Sequence, residues 1–107
     1  MIVSGGRLSP RAGWFLYMLR CADGTLYTGI SNRLEIRVKN HSLGKGARYT
    51  RTRLPVKLVY SRKIGDYSKA LKKEYWLKSQ ERRSKVKLAQ AWMKKTRLPK
   101  RKPKKPA

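Results

Sequence analysis

Carboxylates are scarce in this chain. Only 5 of its 107 residues are Asp or Glu, against 29 Lys or Arg, and the formal charge is +24. Each acid must therefore be accounted for singly. Cysteine is scarcer: Cys21 stands alone, which excludes an intramolecular disulfide and a cysteine-rich zinc site. No apolar run approaches the length of a membrane span. The first twelve residues form a short polar arm without the apolar core of a signal peptide. A reducing, cytoplasmic location is expected, with association to the nucleoid compatible with the charge.

The length and the 39% hydrophobic content suit one small globular domain. Much of the positive charge lies at the end. Residues 94–107 hold eight Lys or Arg, three Pro and no acid, which predicts a disordered basic tail. Residues 1–93 still carry 21 basic and 5 acidic side chains, a charge of +16. The body at 13–93 is thus basic in its own right. Such a surface attracts phosphate backbones by Coulomb force and counterion release. Solubility is the plainer explanation, but positive charge of this size brings nucleic-acid binding with it.

Trp14 to Arg20 is apolar at nearly every position and reads as a strand buried on both faces. Asp23-Gly24 marks a turn, and Thr25 to Ile30 is the returning strand. Asn32 with Glu35 forms a candidate capping box for a helix whose stripe is Leu34, Val38 and His41. Gly44 and Gly46 end that helix and open a basic loop up to Leu54. Val56 to Arg62 is a third strand. Asp66 or Ser68 caps a second helix to about Gln80, and Ser84 starts a third with Val86, Ala89 and Met93 inward. The order β-β-α-β-α-α predicts an α+β fold, a three-stranded antiparallel sheet flanked by helices, with strand 14–20 central.

Four of the five acids have local explanations. Asp23 belongs to a turn, Glu35 to the capping box, Asp66 to an N-cap, and Glu81 to an exposed ion pair. Glu74 lies mid-helix on the stripe of Ala70 and Leu77. It is either a partly buried salt bridge, the commoner case, or a metal ligand. Arg33, Arg37 and His41 share one helix face. That face is either a solvated basic surface or a phosphate clamp. His41 either closes the core edge or exchanges a proton with a phosphate or a tyrosine. Tyr17 and Tyr27 lie on paired strands, where phenols usually pack. A two-residue turn with undisturbed pairing would set these phenols on opposite faces. An odd loop or a bulge would place Tyr17 opposite Tyr27, and a chemical role requires the latter. Gly29 suggests a bulge or a close backbone approach.

Taken together these residues resemble the GIY-YIG nuclease domain. Phe15-Leu16-Tyr17 keeps the tyrosine of the first triplet, and Tyr27-Thr28-Gly29 keeps the tyrosine and glycine of the second. Arg37, His41 and Glu74 follow in order. The stretch from Tyr27 to Arg51, then PVKLVYS and ALKKEYWLK, is closest to the small stand-alone bacterial members. The resemblance covers roughly residues 13–90 and implies a catalytic set of Tyr17, Tyr27, Arg37, His41 and Glu74. In it Glu74 holds a divalent metal, Mg²⁺ or Mn²⁺, Arg37 stabilises charge on the scissile phosphate, and the phenols orient or activate water. It implies an endonuclease acting on DNA, with branched, flapped or damaged DNA as candidate substrates and repair or recombination as the candidate role. Affinity would come from Arg33 and a basic loop of Lys45, Arg48, Arg51 and Arg53. No small-molecule cofactor and no membrane partner is expected, and the chain should act as a monomer. RNA is also a candidate partner. Two alternatives stay open: a non-catalytic nucleic-acid-binding protein that keeps the nuclease fold, and a ribosome-associated basic protein.

Overall fold

The structure, a computed structural model, describes residues 13–101, with side chains to Thr96. The expected arm at 1–12 lies outside the described residues. The chain forms β1 (Trp14–Arg20), β2 (Leu26–Ser31), α1 (Leu34–Ser42), a single turn α2 (Arg48–Arg51), β3 (Lys57–Gly65), α3 (Tyr67–Lys78) and α4 (Arg82–Arg101). The three strands make one antiparallel sheet in the order β2-β1-β3. The expected α+β architecture and the central place of strand 14–20 are both observed.

Register decides what the sheet can present. A five-residue connection joins β1 to β2, and Arg20 pairs with Leu26, Leu19 with Tyr27 and Tyr17 with Gly29. Tyr17 is therefore opposite Gly29, not Tyr27. The odd connection still sets both phenols on one face, as diagonal neighbours, because side chains alternate along a strand. The neighbouring face carries Leu16 and Met18. These pack with Val59 and Tyr60 of β3, Leu77 of α3 and Ala89 of α4 into the apolar core, with Leu26, Ile30, Leu88, Trp92 and Met93 around it. Leu88 and Trp92 extend the inward stripe that Ala89 and Met93 had marked in the sequence.

Three local expectations change. The residue capping α1 is Arg33 rather than Asn32, and no side chain caps the helix. The Ser31 hydroxyl accepts from the Arg33 amide at 2.9 Å, a bond that an Asn32–Glu35 box would not make. The basic loop contains the turn α2, too short to show a helical period in the sequence. Helix α4 runs past Lys94 to Arg101, so the first eight residues of the predicted disordered tail are helical. Residues 102–107 lie outside the described residues. Asp66 caps α3 as expected, its carboxylate accepting from the Lys69 amide at 3.0 Å. Among the described residues no helix is long and apolar enough to cross a membrane.

Candidate active site

Tyr17 is a buried phenol whose ring lies across Gly29. A methyl group at position 29 would stand 2.7 Å from its Oη and 2.8 Å from its Cζ. Only glycine leaves this path free, which is the close approach that Gly29 had suggested. The path leads to His41, on the last turn of α1 and fully buried. Tyr17 Oη and His41 Nε2 are 3.0 Å apart. On the far side of the ring, His41 Nδ1 lies 2.8 Å from Thr50 Oγ1. Thr50 in turn donates to the Ala47 carbonyl at 3.0 Å.

This chain of contacts assigns the protons. A threonine hydroxyl has one hydrogen, and Ala47 receives it. Thr50 Oγ1 must then accept from His41 Nδ1–H. Neutral His41 is left with a bare Nε2, to which Tyr17 donates. Burial, with the nearby Arg37 charge second, pushes the His41 pKa below its ordinary value and keeps the ring neutral. Burial likewise pushes the Tyr17 pKa up to about 12, against the lowering effect of the Arg37 guanidinium beside it. Gly46 makes the same kind of room as Gly29, because a methyl group there would collide with the His41 ring.

Arg37 extends from the exposed side of α1 toward the phenols. Tyr17 raises its pKa first, Tyr27 also contributes, and partial burial opposes them. The Tyr27 ring centroid lies 5.2 Å from His41 and 6.4 Å from Tyr17. Tyr49, from α2, stacks on the other side of Tyr27 at 6.1 Å. Glu74 keeps its place on the inward stripe of α3, with 20% of its side chain exposed, and pairs with Lys78 at 3.2 Å. It is close enough that its charge opposes ionisation of Tyr17. Ring contacts and a hydrogen bond join Tyr17, Tyr27 and His41, and electrostatic effects link Tyr17 to Arg37 and Glu74; these five residues make up the candidate cleft. The salt bridge weighed for Glu74 is present, and the charge of Glu74 still acts on Tyr17.

Not every basic residue picked from the sequence is free to meet a phosphate. Arg33, Lys45, Arg48 and Arg51 are exposed. Arg53 is engaged instead: its Nε pairs with Asp23 at 3.0 Å, and its Nη1 donates to the Tyr49 carbonyl at 2.8 Å. Its guanidinium also lies 3.9 Å from the centroid of the Tyr49 ring. Arg53 thus ties the loop after α2 to the β1–β2 turn. Sequence reasoning missed Tyr49 and Thr50. Their only signal was an adjacent aromatic and hydroxyl in a basic stretch with no visible period.

The model of the GIY-YIG catalytic domain matches residues 13–87. The chain belongs to the GIY-YIG family. A UPF0213 protein of Desulfotalea psychrophila is 52% identical over 71 residues, 65% of this chain and 64% of that protein. The match thus spans less than two thirds of that relative. UPF0213 proteins of Staphylococcus epidermidis and Staphylococcus haemolyticus are 46% and 42% identical, over 71% and 69% of this chain and 93% and 90% of theirs. The solution structure of a UPF0213 protein from Bacillus halodurans superposes with a TM-score of 0.50 at 36% identity. That alignment covers 79% of this chain and 95% of the other. GIY-YIG domains form a nuclease family that binds nucleic acid and generally depends on a divalent metal.

The donor chemistry here suits a hard cation. Mg²⁺ prefers oxygen, keeps several waters and takes further positions from phosphate, so one carboxylate is a workable anchor. Among the described residues no group of three or more His, Cys, Asp or Glu is arranged for a metal.

Proposed function

We propose that this GIY-YIG chain is a divalent-metal-dependent endonuclease that hydrolyses DNA phosphodiesters, acting as a monomer on branched, flapped or damaged DNA in repair or recombination. The single observation that supports the reading is the grouping of two phenols, a guanidinium and a neutral imidazole, with the charge of Glu74 acting on Tyr17. Glu74 would hold Mg²⁺ or Mn²⁺, which when bound supplies Lewis acidity to water and to the phosphate.

The chain's own residues divide the remaining work. Arg37 counters the charge that grows on the non-bridging oxygens, where a fixed cation acts without reorganisation. Tyr17 stays protonated near neutrality, because its pKa is about 12. It can take a proton from water only by releasing its own. His41 Nε2, 3.0 Å away, is the acceptor. Water thus gives a proton to the Tyr17 oxygen while the Tyr17 proton passes to His41. Thr50 holds the imidazole in the tautomer that can receive it. Tyr27, between His41 and Tyr49, orients the water or the phosphate. Arg33, Lys45, Arg48 and Arg51 supply affinity for the backbone.

The test is a cleavage assay with purified protein on labelled duplex, flap, fork, junction and single-stranded DNA, with and without Mg²⁺. Arg37→Ala and Glu74→Ala should abolish cutting and leave DNA affinity largely intact. Normal cutting by either variant would overturn the site assignment. The Glu74–Lys78 ion pair at 3.2 Å favours a second reading, a nucleic-acid-binding protein that keeps the fold without cutting. Cutting that appears with Mg²⁺ and vanishes with chelator decides against it.

A further inference from the structure

A second basic surface lies away from the cleft. It is a groove between the edge strand β3 and helix α3, lined by Arg62, Lys63, Ile64, Lys69, Lys72, Lys73 and Trp76. No carboxylate lines it. Lys69, Lys72 and Trp76 fall on one stripe of α3 by their spacing of three and four. Glu74, two residues from Trp76, projects about 200° around the helix. The groove and the cleft are therefore separate surfaces of the same helix.

Two features of the groove point to its occupant. Five of the lining residues are cations and none is an acid, which raises the potential there until an anion arrives. Lysines on an edge strand can also serve simply to block strand pairing. That accounts for Lys63 but not for the three lysines of α3. The other feature is Trp76, 49% exposed. Its ring carries Lys73 Nζ at 5.9 Å from the centroid, within cation–π range. An exposed indole flanked by cations presents a flat apolar face beside charges that track a phosphate backbone. Bases within a duplex already have their faces covered by stacking, whereas an unpaired base has its faces free.

We propose that this groove binds single-stranded DNA, with an unpaired base stacked on Trp76 and the flanking phosphates on the lysines of α3 and the cations of β3. The proposal holds whether or not the chain cuts, because it concerns a surface lined by neither Tyr17 nor Arg37. In a cutting enzyme this groove would grip the unpaired arm of a flap or fork.

The test is binding of the full chain to a fluorescently labelled oligothymidylate 15-mer and to a 15-base-pair duplex, both in chelator so that nothing is cut. Trp76→Ala should weaken the single strand about tenfold and change duplex binding less than twofold. Trp76→Phe should recover most of the loss. Lys69→Ala with Lys72→Ala should flatten the salt dependence on the single strand by about 1.4 in log–log slope. Equal binding by Trp76→Ala and the parent chain overturns the proposal, as does an equal loss on both probes. Because no metal is present, a failure here is distinct from a failure to cut.

Discussion

The two faces of the β1–β2 pair are built on opposite principles. One carries Leu16 and Met18 and packs them against Leu77 and Ala89. The other carries Tyr17 and Tyr27 and buries polar atoms: a phenol, an imidazole and a hydroxyl in one hydrogen-bonded line. Apolar packing is set by volume, and many combinations of side chains satisfy it. A buried polar line is satisfied by one arrangement only, since each unpaired donor or acceptor is penalised in a low dielectric. The first face stabilises the domain. The second holds a geometry.

The largest expected effect tests the first face. Leu77→Ala should cost about 2–5 kcal/mol through lost burial and a cavity, read by urea unfolding. A loss under about 1 kcal/mol would mean that α3 is not anchored there. On the second face, Gly29→Ala should reduce cutting about a hundredfold, because Tyr17 must leave its position over the strand. Its unfolding midpoint should fall much less than that of Leu77→Ala. If both measures fall together, the faces are not separable.

The pH dependence of stability isolates the second face further. An unfolded tyrosine titrates near 10, while Tyr17 in the fold titrates at about 12. Its contribution is fully present below pH 10 and is lost as pH rises to 12, about 2–3 kcal/mol. Tyr17→Phe should remove that alkaline loss, as seen in unfolding curves at a series of pH values. His41 has the opposite sense. Its folded pKa is depressed, so the stability it contributes is present above its ordinary value and is lost on acidification below it.

Smaller changes follow. Thr50→Val keeps the shape and removes the acceptor of His41 Nδ1–H, which should cost about 1–3 kcal/mol. Nitrogen NMR of the imidazole should show the loss of its single tautomer, and Thr50→Ser should restore it. Smallest is the deletion of residues 102–107. It removes three lysines and should only weaken DNA binding across sequences and flatten its salt dependence. An unchanged salt slope would show that these residues do not meet phosphates.

The candidate site is legible in the sequence: Tyr17, Tyr27, Arg37, His41 and Glu74 match one family together in residue type, spacing and element order. Asp66 was legible as a cap because capping is local. Thr50 was not, because its function depends on a turn too short to leave a period. The tie of Arg53 to the β1–β2 turn is not legible for a related reason. Its partner, Asp23, is 30 residues away, and a basic loop looks alike whether its arginines are free or tied.

The amino-acid sequence alone determined the strong positive charge, the alternation that makes three strands, and the scarcity of acids that leaves Glu74 as the one inward carboxylate. These follow from composition and from periods of a few residues. Tertiary structure decided which strand positions meet, that Tyr17 crosses Gly29 to reach His41, and that Trp76 turns away from Glu74 toward a second basic groove. Those are contacts between segments distant in the chain, and they depend on register and packing that no local pattern encodes.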